Sequence, residues 1–209
     1  MDKFRDLTNQ VDNHIDEIIQ LEQDLVKIES VNSGTIPTGN ETEVCEYIKV
    51  WLRKYDIKSS ILESIPGRGN IIAELAGESS RNGLMFMSHT DVVPVEDASK
   101  WQYPPFGGVL DKGRIYGRGA SDCKGLLTSQ MMAMKLLKVN GLPLKENLIL
   151  VSGADEEHGG RYGFGWLAEN HPDKITARYA INEQMYLYGT YYWGLALLNE
   201  DFESNNRGF

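Results

Sequence analysis

The stretch Leu148-Ile149-Leu150-Val151-Ser152-Gly153-Ala154-Asp155-Glu156-Glu157 decides how the rest of the chain is read. An unbroken aliphatic run bounded by polar and small residues predicts a strand buried on both faces. This run then hands the chain directly to neighbouring acids. The same design recurs at Leu84-Met85-Phe86-Met87, which ends at Ser88-His89-Thr90-Asp91, and at Tyr179-Ala180-Ile181, which leads to Asn182-Glu183. Shorter apolar runs at Ser59 to Leu62 and Asn70 to Leu75, set off by Gly, Pro and charged residues, also read as strands.

Between these runs lie helical patterns. From Phe4 to Ile28, apolar residues such as Leu7, Val11, Ile15, Ile18, Leu21 and Leu25 recur at three- and four-residue spacing, which predicts one amphipathic helix ending near Ser30. Val31 to Asn40 is turn-rich, and Asn40 is placed to cap a second helix carrying Val44, Tyr47, Ile48 and Leu52 on one side. Val109-Leu110 and Arg114-Ile115-Tyr116 flank Asp111-Lys112-Gly113 as a hairpin, and Gly125 to Val139 has the composition of a good helix, with Met131, Met132 and Met134 as core packing. Helices alternating with apolar strands predict an α/β domain with a largely buried sheet and functional groups at strand ends. No repeat, linker or low-complexity tract is visible.

Composition narrows the function. With 209 residues, 41% hydrophobic and 24% charged, the chain can bury a sizeable core. A net charge of −9 without a basic run would repel the phosphate field of a nucleic acid, so no nucleic-acid partner is expected. Cys45 and Cys123 form no Cys-x-x-Cys pair, which argues against a disulfide framework or thiolate zinc knuckle and fits a reducing cytoplasm. No stretch approaches the roughly 18 apolar residues of a membrane span, and the charged N-terminus does not read as a signal peptide.

His89, Asp91, Asp122, Glu156, Glu157 and Glu183 all fall just beyond an apolar strand or at a helix entry. Several carboxylates buried together cost several kcal/mol each unless a cation or hydrogen bonds compensate, so their convergence would imply bound metal. His89 offers an imidazole nitrogen, and Asp91 a carboxylate that orients a ligand; a lone His at a strand end is also an ordinary hydrogen-bonded residue. Asp122 reads either as a helix N-cap or as a carboxylate able to bridge two cations. Glu156 and Glu157, as neighbours in a turning segment, point in different directions. One can bind metal while the other serves as general base, whereas a solvated surface is the bland alternative. Gly67-Arg68-Gly69 lacks the Gly-x-x-x-x-Gly-Lys spacing of a phosphate cradle and is given no role.

From about Leu21 to Glu183 the chain resembles the M20 family of metallopeptidases and deacylases. The likeness is carried by Ser88-His89-Thr90-Asp91-Val92-Val93-Pro94, by Trp101 through Pro105-Phe106, by Gly117-Arg118-Gly119-Ala120-Ser121-Asp122-Cys123-Lys124-Gly125, and by Asp155-Glu156-Glu157. The resemblance implies a three-layer, zinc-peptidase-like catalytic domain with a mixed, largely parallel central sheet. It also implies two zinc ions, with cobalt or manganese as substitutes, bridged by Asp122 and a water. His89 and Glu183 would bind one ion, Glu157 the other, Glu156 would be the general base and Asp91 would support His89. The peptide bond after Asp122 is expected to be cis. The substrates implied are small N-acyl amino acids or peptides.

Members of that family are longer, receive a further histidine ligand from near the C-terminus, and carry a lid domain that commonly makes a homo-oligomer. Residues 1–209 therefore read as an incomplete catalytic domain lacking the lid and the C-terminal catalytic segment. His158 and His171 do not match the distal ligand, and Asn199 to Phe209 is too polar for a core strand. Two readings stay open: a metal-dependent amide hydrolase, and a truncated, non-catalytic remnant that at most binds metal and persists as a folded or oligomerising domain.

Overall fold

The structure, a computed structural model, describes the backbone of residues 3–36, 39–183, 185–187, 190–192 and 195–197, and side chains over 7–36 and 39–183. The polar run from Asn199 to Phe209 lies outside the described residues. Among the described residues the α-helices are α1 (Lys3–Asn13), α2 (Ile15–Lys27), α3 (Glu41–Arg53), α4 (Gly125–Val139) and α5 (Phe164–Asn170). The strands are β1 (Lys58–Glu63), β2 (Gly69–Leu75), β3 (Asn82–His89), β4 (Val109–Asp111), β5 (Arg114–Tyr116), β6 (Asn147–Gly153), β7 (Tyr179–Ile181), β8 (Met185–Leu187), β9 (Thr190–Tyr192) and β10 (Leu195–Leu197).

The central sheet has the order β1-β2-β6-β3-β7-β10. β6, β3 and β7 run parallel, and antiparallel pairings flank them on both sides, so the sheet is mixed with a parallel heart. Strand β6 is buried at every position, as its continuous apolar run requires, whereas β1 at the edge alternates with solvent.

Side-chain alternation along the strands divides the interior into two layers of packing. Ile71, Ala73 and Leu75 of β2 and Leu148 and Leu150 of β6 face one core. There they meet Leu21 and Leu25 of α2, Val44, Ile48 and Leu52 of α3, and Leu127, Met131 and Met134 of α4. Ile72, Met85, Ile149 and Val151 face the other way, onto Leu167 of α5 and Ala177. The three-layer α/β architecture anticipated from the resemblance is thus present. Among the described residues, no helix is long and apolar enough to cross a membrane.

Two local expectations are corrected. The stripe from Phe4 to Ile28 is broken at His14 into α1 and α2. The His14 ring takes the Gln10 carbonyl at 2.8 Å and its amide bonds Val11 instead, tightening the turn and interrupting the α-helical ladder. Asn40 stands at the N-cap position of α3, but its side chain accepts no hydrogen bond from the first turn; its Nδ2 donates to the Glu43 carboxylate instead. The β4–β5 hairpin forms as expected, with Lys112 (φ 48°) and Gly113 (φ 75°) both left-handed, the geometry that two-residue hairpin turns favour.

Leu150 is fully buried at the centre of the sheet, under the helical layer. Leu150→Ala should lower the unfolding free energy by about 2–5 kcal/mol, the usual cost of a large-to-small change in a core. Urea denaturation of the two proteins measures it.

Candidate metal centre

The parallel pairing of β3 with β6 places His89 opposite Gly153, so the carboxyl ends of the two strands emerge side by side. Thr90 N donates to the Gly153 carbonyl at 2.9 Å, continuing the alignment one step past the strand end. From β6 the chain passes through Asp155, left-handed at φ 64°, into the turn that carries Glu156 and Glu157. On the other side of β3, β7 ends at Ile181 and delivers Glu183.

Asp122 arrives from the turn before α4. It is not the N-cap of that helix: its backbone is extended (φ −124°, ψ 98°), the Asp122–Cys123 peptide is cis as the resemblance implies, and α4 begins only at Gly125. The turn is held from below. Buried Lys124 donates its ammonium to the Leu25 and Ile28 carbonyls, at 2.9 and 2.7 Å, at the exposed end of the α2 ladder. Gly119, left-handed at φ 81°, lies so close to Val92 that a side chain there would collide with it.

These elements converge on the fully buried imidazole of His89. Its Nε2 lies 2.9 Å from Asp122 Oδ1, 3.3 Å from Glu183 Oε2 and 3.8 Å from Glu156 Oε2. Its Nδ1 lies 2.9 Å from the Asp91 carbonyl and 3.3 Å from Asp91 Oδ1. Donor atoms of His89, Asp122, Cys123 and Glu183 all fall within 4.8 Å of one another. Cys123, not assigned a ligand role from the sequence, joins this group through a sulfur that accepts from the His89 amide at 3.1 Å. Glu157 is not a member of the group. His158 packs against Gly34, and the His171 ring stacks edgewise on Trp166.

The electrostatics follow from crowding acids around one ring. Burial by itself would lower the His89 pKa, but hydrogen bonds to Asp122, Asp91, Cys123 and Glu183 overcome it and raise it. Asp122 is held below the usual carboxylate range chiefly by its hydrogen bond to His89. Glu156 is pushed up by burial and by the charges of Glu183, Asp91 and Asp122. Glu157 is pushed up to about 7, first by burial and then by Asp122. A set of converging carboxylates with one imidazole is the donor set that divalent ions of zinc-like character accept, and a bound cation would relieve the mutual repulsion just described. The residues present fit such a group.

Behind this cluster lie further buried polar residues, of which the sequence marked Asp91 but not Asn32, Arg68 or Glu41. Asp91, fully buried, accepts from the backbone amides of Glu156 (3.1 Å) and Glu157 (3.2 Å) and from the Asn32 side chain (2.8 Å). Although burial works to raise its pKa, donors led by His89 and Asn32 hold it below the usual value. Arg68 is also buried, with Nη2 2.9 Å from Asp155 and 3.0 Å from the buried Glu41. The one signal in the sequence was an arginine enclosed by glycines at 67 and 69.

The chain is similar to proteins of one known family. Residues 85–191 match the model of peptidase family M20/M25/M40. The chain is 34% identical over 172 residues to an uncharacterized metallohydrolase of Methanocaldococcus jannaschii, covering 77% of this chain and 42% of that protein. It is 36% identical over 159 residues to a probable succinyl-diaminopimelate desuccinylase of Staphylococcus epidermidis, covering 76% of this chain and 37% of that one. A solved M20 family metallo-carboxypeptidase from Sulfolobus solfataricus superposes with a TM-score of 0.69 at 28% identity, over 82% of this chain and 38% of the other. The chain therefore spans less than half the length of these relatives.

Burial pushes the Glu41 carboxyl up to about 7 from its usual 4.5, the Arg68 charge offsetting part of the rise and Asp91 adding to it. The folded chain thus binds a proton that the unfolded chain releases at lower pH. The stabilisation this gives is complete below about pH 4.5 and is lost as pH rises through about 7. Glu41→Gln keeps the neutral form, so between about pH 5 and pH 8 its melting temperature should fall less than that of the unsubstituted protein, as calorimetry at several pH values will show.

Proposed function

The chain belongs to peptidase family M20/M25/M40, and from that membership we propose that it hydrolyses amide bonds with two divalent metal ions held by His89, Asp122, Glu157 and Glu183. The observation that carries this reading is the meeting of His89 Nε2, Asp122 Oδ1 and Glu183 Oε2 at the ends of separate elements, with their donor atoms inside 4.8 Å. Zinc suits imidazole with carboxylates, and cobalt or manganese would serve as replacements. When bound, the ions supply Lewis acidity toward water and toward the scissile carbonyl.

The chain's own residues do the rest. Asp91 fixes the His89 ring by engaging Nδ1, which leaves Nε2 turned toward Asp122 and Glu183. Asp122, with its side chain open to solvent, would be a carboxylate ligand to the ions. Glu157, partly buried and beside the charge of Asp122, would complete the second ion's ligands. Glu156, whose pKa is raised toward the working range of a base, takes a proton from the attacking water and returns it to the departing amine.

The relatives' names point to deacylation and to peptide cleavage, both of them hydrolysis of an amide. N-acyl amino acids and short peptides are accordingly the substrates to try. Cys45 and Cys123, both free and buried, suit a reducing compartment such as the cytoplasm.

Glu156→Gln should leave metal uptake nearly intact and lower turnover of N-succinyl and dipeptide substrates by about two to four orders of magnitude, the usual weight of a general base. Metal analysis and steady-state kinetics on the full chain provide both numbers. Equal turnover in the variant removes Glu156 from the reaction, and a metal-loaded wild type without turnover on any such substrate favours a binding role.

A further inference from the structure

The residues that would touch metal or water do not account for the polar chain buried behind them. It begins at Glu41, passes through Arg68 Nη2 to Asp155 Oδ1, and continues through Asn32 Nδ2 to Asp91 Oδ2 at 2.8 Å. Asn32 Nδ2 also reaches Asp155 Oδ1 at 3.0 Å. The orientation of the Asn32 amide is set by its other end, where Oδ1 accepts from the Gly34 amide at 3.0 Å. Asn32, Arg68, Asp91 and Asp155 are all buried.

Asp91 and Asp155 are two buried carboxylates brought against one donor, where like charges raise each other's energy. A primary amide is suited to this place. Its two N–H groups can serve two acceptors, and it adds no charge that would draw Asp91 away from the His89 ring. The cation of the chain, Arg68, is set against Asp155 and Glu41 instead, so that Asp155 is neutralised while Asp91 remains free to polarise His89. Asp155 Oδ2 in turn accepts from the Tyr162 amide at 3.1 Å, closing the loop that follows Glu156 and Glu157.

We propose that Asn32 and Arg68 are positioning residues of the metal centre. Asn32 holds Asp91 and Asp155 side by side, Arg68 anchors Asp155, and together they set both the aim of the His89 ring and the placement of the Glu156-Glu157 turn. This inference rests on the reading of His89 as a metal ligand.

The test uses Asn32→Ala and Arg68→Lys in the full chain, loaded with Co2+, read by equilibrium Co2+ binding and by the visible spectrum of the bound ion, with circular dichroism to establish folding. Co2+ affinity should fall about 10- to 100-fold in each variant, the usual effect of losing a partner behind a ligand, and the spectrum should change. Combining Asn32→Ala with Asp91→Ala should weaken binding by less than the two single effects together, because the two residues share one contact. If Asn32→Ala fails to fold, Asn32→Ser, which keeps a single hydroxyl donor, is read in its place with the same expectation. Folded variants that bind Co2+ with unchanged affinity and spectrum, while melting earlier, overturn the inference and leave a purely structural role. A wild type that takes up no Co2+ overturns the metal reading and this inference with it.

Discussion

Everything near the centre depends on keeping one carboxylate, that of Asp91, ionised where its side chain is buried. A buried unpaired anion is costly, and the fold meets that cost with donors drawn in around it: the Asn32 amide, two backbone amides of the Glu156-Glu157 turn, and the His89 ring. Each donor comes from a different part of the chain. Satisfying one side chain therefore fastens together the segment after α2, the end of β3 and the turn after β6.

The sheet supplies the scaffold for this arrangement. Three neighbouring parallel strands end at the same edge, which brings residues distant in sequence to one point without long side chains having to reach for it. The segment before α3 is laced along the same edge: Asn32 N bonds the Val92 carbonyl, Val92 N bonds the Ser30 carbonyl, and the Ser30 hydroxyl donates to the Thr90 carbonyl. Lys124 performs a similar service on the opposite side, tying the Asp122 turn to the last carbonyls of α2. The side chains gathered around His89 thus stand on backbone that is fixed on several sides.

The parts legible in the sequence were those in which burial and chemistry share a short window. Leu148 to Glu157 and Leu84 to Asp91 each combine a continuous apolar run with acids at its end, and both became central strands leading into the site. Where outcome depends on distant partners, local pattern was silent or misleading. Asn32 lies in a stretch read only as turn-rich, and it is buried beside acceptors, at Asp91 and Asp155, that come from much later in the chain. Arg68, between two glycines, was given no role, because its place is set by Asp155 and Glu41 from distant parts of the chain. Asp122 carried two readings that spacing alone could not separate, and only its extended backbone removes it from the start of α4. At His14, a side chain competing for a main-chain carbonyl overrode an otherwise regular apolar stripe.

The pairing of His89 with Gly153 also bears on how this protein can change over evolutionary time. Side chains on a strand alternate between opposite faces, so adding or deleting one residue within β3 would swap its inward and outward positions. Met85 would exchange places with Leu84 or Phe86, and the imidazole would turn its back on Asp122. No single compensating substitution could repair packing and chemistry at once. Changes of length in this lineage should consequently gather in connectors such as 76–81 or 95–107, while β3 keeps its residue count even as its apolar side chains are exchanged for one another.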